Sequence, residues 1–244
     1  MVISIFKTEQ ELLSAIALYF IKIAQQSIEE QNKFTVALAG GNSPKKLYEL
    51  LSSDQFKNKI DWSKVNFFFG DERYVPANDP QRNSLMVQKS LFEPLKISSS
   101  QIFEVDTTLA PAEAAEKYNQ TITTQFSGLP VRFDLMLLGL GDNAHTASLF
   151  PFTDVLTETA PTVKAVLLKE QNVYRITITA PLINQSKHTA FLVYGKQKAE
   201  AVHHVLKGER DVMKYPAQLI NPLMGELQWF LDDAAASLLE QPRA

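Results

Sequence analysis

Polar and apolar residues change their spacing repeatedly along this chain, and the changes divide it into alternating strands and helices. "MVISIF" reads as a short strand. From Thr8 to Gln31, the residues Leu12, Ile16, Tyr19, Phe20 and Ile23 recur at helical spacing, and Thr8 with Glu11 fits a capping box, so a long amphipathic helix is predicted. "FTVALAGG" is a buried strand entering a glycine turn. "SPKKLYELLSS" is a helix with Ser43 as N-cap and Pro44 at the first position. The unit then returns: a strand leading into a polar loop in "VNFFFGDERYVP", the helix "QRNSLMVQKSLF", the strand "QIFEV" and the helix "APAEAAEKYNQTITTQF". "VRFDLMLLGLG" is the clearest buried strand, and "HTASLF" reads as the start of a short helix. Alternation of this kind predicts an α/β fold with a mainly parallel sheet.

After residue 160 the spacing changes. "TVKAVLL", "VYRITITA" and "HTAFLVYG" are strands with few helical residues between them, which predicts antiparallel pairing or an edge extension. "KQKAEAVHHVL" and "GELQWFLDDAAASLL" read as helices. No linker demands a second domain, so residues 1–244 read as one.

Composition narrows the chemistry. The chain has no cysteine, which excludes disulfides, thiolate metal sites and cysteine nucleophiles. Its net charge of -3 gives no broad attraction to nucleic acid or an anionic membrane, although a local positive pocket for a small anion stays open. No basic segment precedes a continuous apolar one, and no run of about 18 apolar residues could span a bilayer. A cytoplasmic location is expected.

Open parallel sheets bind ligands beyond the carboxyl ends of their strands, and polar clusters follow four of the predicted strands. In "AGGNSPKK", Gly40 and Gly41 permit close backbone approach, and Asn42 and Ser43 lead into a helix start suited to a phosphate. A tight turn with an N-cap explains the same residues without a ligand. In "GDERYVP", Asp71, Glu72 and Arg73 cannot share one core face, so at least one points across the strand ends, where Arg73 would steady an anion. An ion pair is the plainer role. In "GLGDNAHTASLFP", His145 lies past a buried strand, and a helix start there would keep its ring unprotonated, with Asp142 available to orient it. A histidine that merely caps the loop fits equally well. Arg175 in "VYRITITA" and Lys198 in "GKQK" add separated positive charge, although each alone suits the surface. The H-E-x-x-H pattern is absent, and His203 and His204 diverge on a helix, so no metal site is predicted.

Together these segments resemble the 6-phosphogluconolactonase family, within the wider group that includes glucosamine-6-phosphate deaminases. The resemblance rests on "LAGGNSPKKLYELL", "FFFGDERYVPANDPQRNSLM", "LLGLGDNAHTASLFP", "YRITITAPLIN", "FLVYGKQKAEAV" and a C-terminal helix "LQWFLDD", in that order along nearly the whole chain. It implies a three-layer sheet with helices on both faces, of the kind shared with ribose-phosphate isomerases and CoA transferases. It implies hydrolysis of 6-phospho-D-glucono-1,5-lactone in the oxidative pentose phosphate pathway, with no cofactor or catalytic metal. The base falls on His145, the acid-and-arginine segment on Asp71 to Arg73, and the phosphate grip on Ser43, Arg175 and Lys198. Glucose-6-phosphate dehydrogenase, which makes the lactone, is the implied protein partner.

One departure affects the base. The family usually has "DGHTASLFP" where this chain has "NAHTASLFP", so Asn143 stands for an acid and Ala144 for a glycine. Either a neutral hydrogen bond holds His145, or Asp142 substitutes through a shift in register. Two alternatives follow: an amino-sugar-phosphate deaminase or isomerase using the same phosphate grip, and a non-catalytic sugar-phosphate sensor.

Overall fold

In the computed structural model, which describes residues 1–239, the strands are β1 (Val2–Phe6), β2 (Phe34–Leu38), β3 (Val65–Phe69), β4 (Asp71–Arg73), β5 (Leu135–Leu138), β6 (Val163–Leu168), β7 (Val173–Ile178), β8 (His188–Val193) and β9 (Glu226–Asp232). The helices are α1 (Glu9–Gln31), α2 (Asn42–Leu51), α3 (Asn83–Val87), α4 (Glu93–Leu95), α5 (Pro111–Gln125), α6 (Ala180–Ile183), α7 (Ala199–Leu206) and α8 (Asp233–Ala236). The last five residues of the predicted 1–244 span lie outside the described residues.

Six strands form one sheet in the order β1-β9-β8-β5-β2-β3, and every neighbouring pair is parallel. Side chains alternate across a strand with a period of two, so a sheet covered on both faces needs apolar residues at every position. β2 and β5 come nearest to that demand, with every residue buried and Thr35 the one polar side chain, bonded to Asp134. Phe34, Val36 and Leu38 pack on one face against Leu12, Ile16 and Phe20 of α1 and Leu47 of α2. Ala37, Phe68 and Met136 face the other way, toward Ala114 and Ile122 of α5. The result is the expected three-layer α/β architecture.

Beside the large sheet, β4, β7 and β6 form a small antiparallel sheet in that order. This is the antiparallel extension expected after residue 160, while the third strand predicted there became β8 of the large sheet. From β2 the chain steps to β3 on one side, and β5, β8 and β9 lie on the other. The winding direction therefore reverses between β2 and β5, which is where such sheets open a crevice.

Several expected elements differ. "GELQWFLDD" is not a helix: it inserts as β9 between β1 and β8, and only Asp233–Ala236 is helical. Both of its ladders come from distant segments, which local propensity cannot register. "QIFEV" makes one isolated bridge, Ile102 to Phe67, rather than a strand. "QRNSLMVQKSLF" is helical but is interrupted by a wider π-type turn over Gln88–Phe92. "HTASLF" forms a turn bridged between Thr146 and Leu149 instead of a helix. The helix expected to be capped by Ser43 begins two residues earlier, with Gly41 at the cap position. Thr8 caps α1 as predicted, accepting from the Glu11 main-chain N–H at 3.2 Å.

Candidate active site

A cleft of about 460 Å³ opens over the carboxyl ends of β2, β3, β5 and β8. Two buried tyrosines hold this rim from opposite faces of the sheet. The Tyr48 hydroxyl of α2 donates to Ala39 O at 2.8 Å and accepts from Ala39 N–H at 3.0 Å. The Tyr118 hydroxyl of α5 does the same for Phe69, at 3.1 and 2.7 Å. Each strand end thus satisfies its last backbone groups before the chain turns into the cleft.

The small sheet sorts the charges of "DER". In the antiparallel register Arg73 faces Arg175, and Asp71 faces Thr177. Opposed residues share a face, and residues two apart share it too, so these four side chains lie together. Asp71 and both arginines line the cleft. Glu72 points the other way and is fully buried. Its carboxylate accepts the main-chain N–H groups of Arg73, Asn83 and Ser84 at 2.7–2.8 Å and lies 4.0 Å from the Arg82 guanidinium. Asp71 accepts the Ser148 hydroxyl at 2.6 Å. Burial pushes the Asp71 carboxyl upward from its ordinary pKa, opposed by that hydrogen bond and by Arg73 and Arg175. Arg73 donates to Gln81 O and Arg175 to Tyr174 O, and neither forms an ion pair among the described residues.

The histidine loop is a closed turn. Gly141 N–H donates to His145 O at 2.8 Å, and Ala144 N–H donates to Gly141 O at 2.9 Å. Asn143 bends back on the chain two residues ahead: its Oδ1 meets the His145 main-chain N–H at 3.3 Å and ring Nδ1 at 2.5 Å. An atom that already accepts from a main-chain N–H is the amide oxygen, so the ring carries its proton on Nδ1 and leaves Nε2 as the basic nitrogen. The ring stacks on Phe150 with centroids 4.1 Å apart. Gly141 is required here, because a Cβ on it would come within 2.0 Å of Nδ1. Ala144 sits at φ 61, a conformation that favours glycine, with its methyl buried in the core.

Of the two orienting partners expected for the ring, the neutral hydrogen bond with Asn143 is the one present, and the Asp142 role is corrected. Asp142 does not reach the ring: its carboxylate accepts Lys198 Nζ at 2.6 Å instead, because the turn commits the next side chain, Asn143, to the ring. The ring is held well below its ordinary pKa, at about 4, chiefly by burial and then by Lys198, with Arg175 and Arg73 adding to it and Asp142 opposing. A helix dipole was the expected cause, but no helix starts here.

The cleft gathers nearly all the predicted residues. Gly40, Gly41, Asn42, Ser43, Asp71, Arg73, His145, Arg175 and Lys198 line it, while Asp142 stands at its edge through Lys198. Gly41 takes φ 100 and delivers the start of α2, with Ser43, into the cleft. Sequence reasoning missed Ser148, Phe150 and Gln171, which also line it. Ser148 and Phe150 stood inside "HTASLF", where a turn rather than a helix would have flagged them. Gln171 comes from the β6–β7 connection and carried no local signal. Among the described residues, no three His, Asp or Glu side chains converge as a metal's ligands would.

Comparison with known proteins gives this geometry its context. The profile of the family described as glucosamine-6-phosphate isomerases/6-phosphogluconolactonase matches residues 7–229. A 6-phosphogluconolactonase from Nostoc sp. is 40% identical over 217 residues, which cover 87% of this chain and 88% of the relative. The crystal structure of 6-phosphogluconolactonase from Thermotoga maritima superposes with a TM-score of 0.81 at 30% identity, covering 95% of this chain and 99% of that one. A monomeric glucosamine-6-phosphate deaminase superposes with a TM-score of 0.82 at 23% identity, covering 98% of this chain and 100% of that one, a likeness that establishes the fold alone.

Proposed function

This chain belongs to the glucosamine-6-phosphate isomerase/6-phosphogluconolactonase family, and from that premise we propose that it hydrolyses 6-phospho-D-glucono-1,5-lactone to 6-phospho-D-gluconate. The observation that carries the reading is His145, whose Nε2 has no hydrogen-bond partner among the described residues, in a cleft with Lys198 and two arginines that form no ion pair among them.

Hydrolysis needs an aimed water, a proton acceptor and a partner for the tetrahedral oxyanion. His145 Nε2 takes the water proton as the oxygen bonds to the lactone carbonyl carbon, help typically worth about 10²–10⁴-fold. Arg73 meets the oxyanion, and one well-placed donor contributes about 3 kcal/mol. When the intermediate collapses, the ring C–O bond breaks and His145 returns the proton to the departing sugar oxygen. Asp71 holds Ser148 and offsets part of the charge of the arginine pair. Ser43, Arg175, Lys198 and the glycine turn at Gly40–Asn42 hold the phosphate and so orient the carbonyl.

We place the reaction in one domain, residues 1–244, in the cytoplasm and in the oxidative pentose phosphate pathway, with glucose-6-phosphate dehydrogenase as supplier of the lactone. Generating the lactone in place and following its loss, with the buffer-only rate subtracted, tests the reading. A catalysed rate supports it. Ammonia and keto-sugar released from an amino-sugar phosphate would point to the deaminase reaction. Saturable phosphogluconate binding at the background rate would point to the sensor.

A further inference from the structure

His145 is unusual in what surrounds it. Its Nδ1 is committed to a neutral amide, Asn143. Neither carboxylate of this region bonds the ring: Asp142 pairs with Lys198 at 2.6 Å, and Asp71 accepts the Ser148 hydroxyl at 2.6 Å. Three cations line the same cleft as the ring, from three separate elements: Lys198 ahead of α7, Arg175 on β7 and Arg73 on β4. Arg73 and Arg175 stand directly opposed in the register with no ion pair between β4 or β7 and any acid among the described residues. With these three cations set against the two carboxylates, the free cleft keeps a net positive charge around a half-buried base.

We infer that the anionic group of the substrate strengthens its own base: an anion held by Arg175 and Lys198 raises the affinity of His145 for a proton. This rests on the phosphate-holding role given to those two residues above. Each cation beside the ring disfavours its protonated form, and a dianion at the cations offsets them together. The coupling is reciprocal, so protonating His145 tightens the anion's binding by the same factor. It makes the phosphate a determinant of turnover as well as of affinity. A plain lactone would meet a weaker base even when bound.

The test titrates the His145 ring by NMR in the free protein and in saturating sulfate, which stays a dianion throughout the range. Sulfate is expected to raise the ring's pKa by about one unit or more, the size that a neighbouring charge produces. In Lys198→Gln the free-state value rises and the sulfate-induced shift shrinks. Sulfate that perturbs the Ser43 and Arg175 signals but leaves the titration unchanged overturns the coupling. Sulfate that fails to perturb the cleft at all overturns both the coupling and the anion-holding role. The titration needs no turnover, so a shifted ring in a protein that hydrolyses no lactone keeps the coupling and removes only the proposed reaction.

Discussion

The two faces of the small sheet treat charge in opposite ways. On the inner face, Glu72 is fully buried, and its carboxylate is saturated by three main-chain N–H groups with Arg82 alongside. Arg82 in turn donates to Ser84 Oγ, Val105 O and Thr107 Oγ1. On the cleft face, one residue away in sequence, Arg73 and Arg175 confront each other with one backbone carbonyl apiece. Buried charge survives only when paired and hydrogen-bonded. Charge left without an ion pair at a cleft is capacity held for a ligand. The difference separates the acid that builds the loop from the groups that serve the reaction.

The largest test of the comparison removes the base. His145→Ala should lower kcat by about 10²–10⁴-fold while the thermal midpoint stays near wild type. A fully active, folded variant would end the base assignment. Next is the inner face. Glu72→Ala leaves three main-chain donors unsatisfied and takes one of two carboxylates from Arg82, which keeps Glu104, and should cost about 3–5 kcal/mol in urea unfolding. A loss no larger than that of a surface substitution would show that the two faces do not differ.

Arg175→Gln removes a charge from the cleft face instead. It should leave stability unchanged or raised, because it relieves the opposed Arg73. The preference for phosphorylated over plain lactone should fall about 10-fold or more, the worth of a charged hydrogen bond. An unchanged preference would take the phosphate away from Arg175.

The pH profile is subtler. The neutral ring is the active form, so kcat/KM, which reports the free enzyme, should fall as pH drops through about 4. Asn143→Asp places a carboxylate on Nδ1 and should move that limb upward by about one unit. A ring pKa depressed in the folded state also means that the unfolded chain takes up the proton first. His145 therefore withdraws stability as pH falls from 6.5 toward 4, and nothing further below that. The smallest effect belongs to Ala144→Gly. Relief of the left-handed backbone is set against loss of a buried methyl and a more flexible unfolded chain, so stability should change by less than about 1 kcal/mol. A larger loss in chemical unfolding would show that the methyl dominates.

How much of this was legible in sequence depends on how far each interaction reaches. The Thr8 cap, the two fully buried strands and the glycine turn before α2 depend on residues within one turn or one strand, and their spacing predicted them. The polar clusters after "FTVAL", "VNFFF", "LMLL" and "HTAFLV" also marked the cleft, because a parallel strand buried on both faces can carry polar groups only beyond its ends. Residues 1–239 thus declared an α/β sheet with a polar rim.

Tertiary structure alone decided the rest. It made "ELQWFLD" a central strand, because β1 and β8 supply ladders from the two sides. It turned Arg73 onto Arg175 across 102 positions of sequence and Asp142 onto Lys198 across 56. It gave His145 to Asn143 rather than Asp142, a choice made by the direction of one closed turn. Local spacing determines which residues leave the core. Only the pairing of distant strands determines which of them meet, and the chemistry of this cleft lies in those meetings.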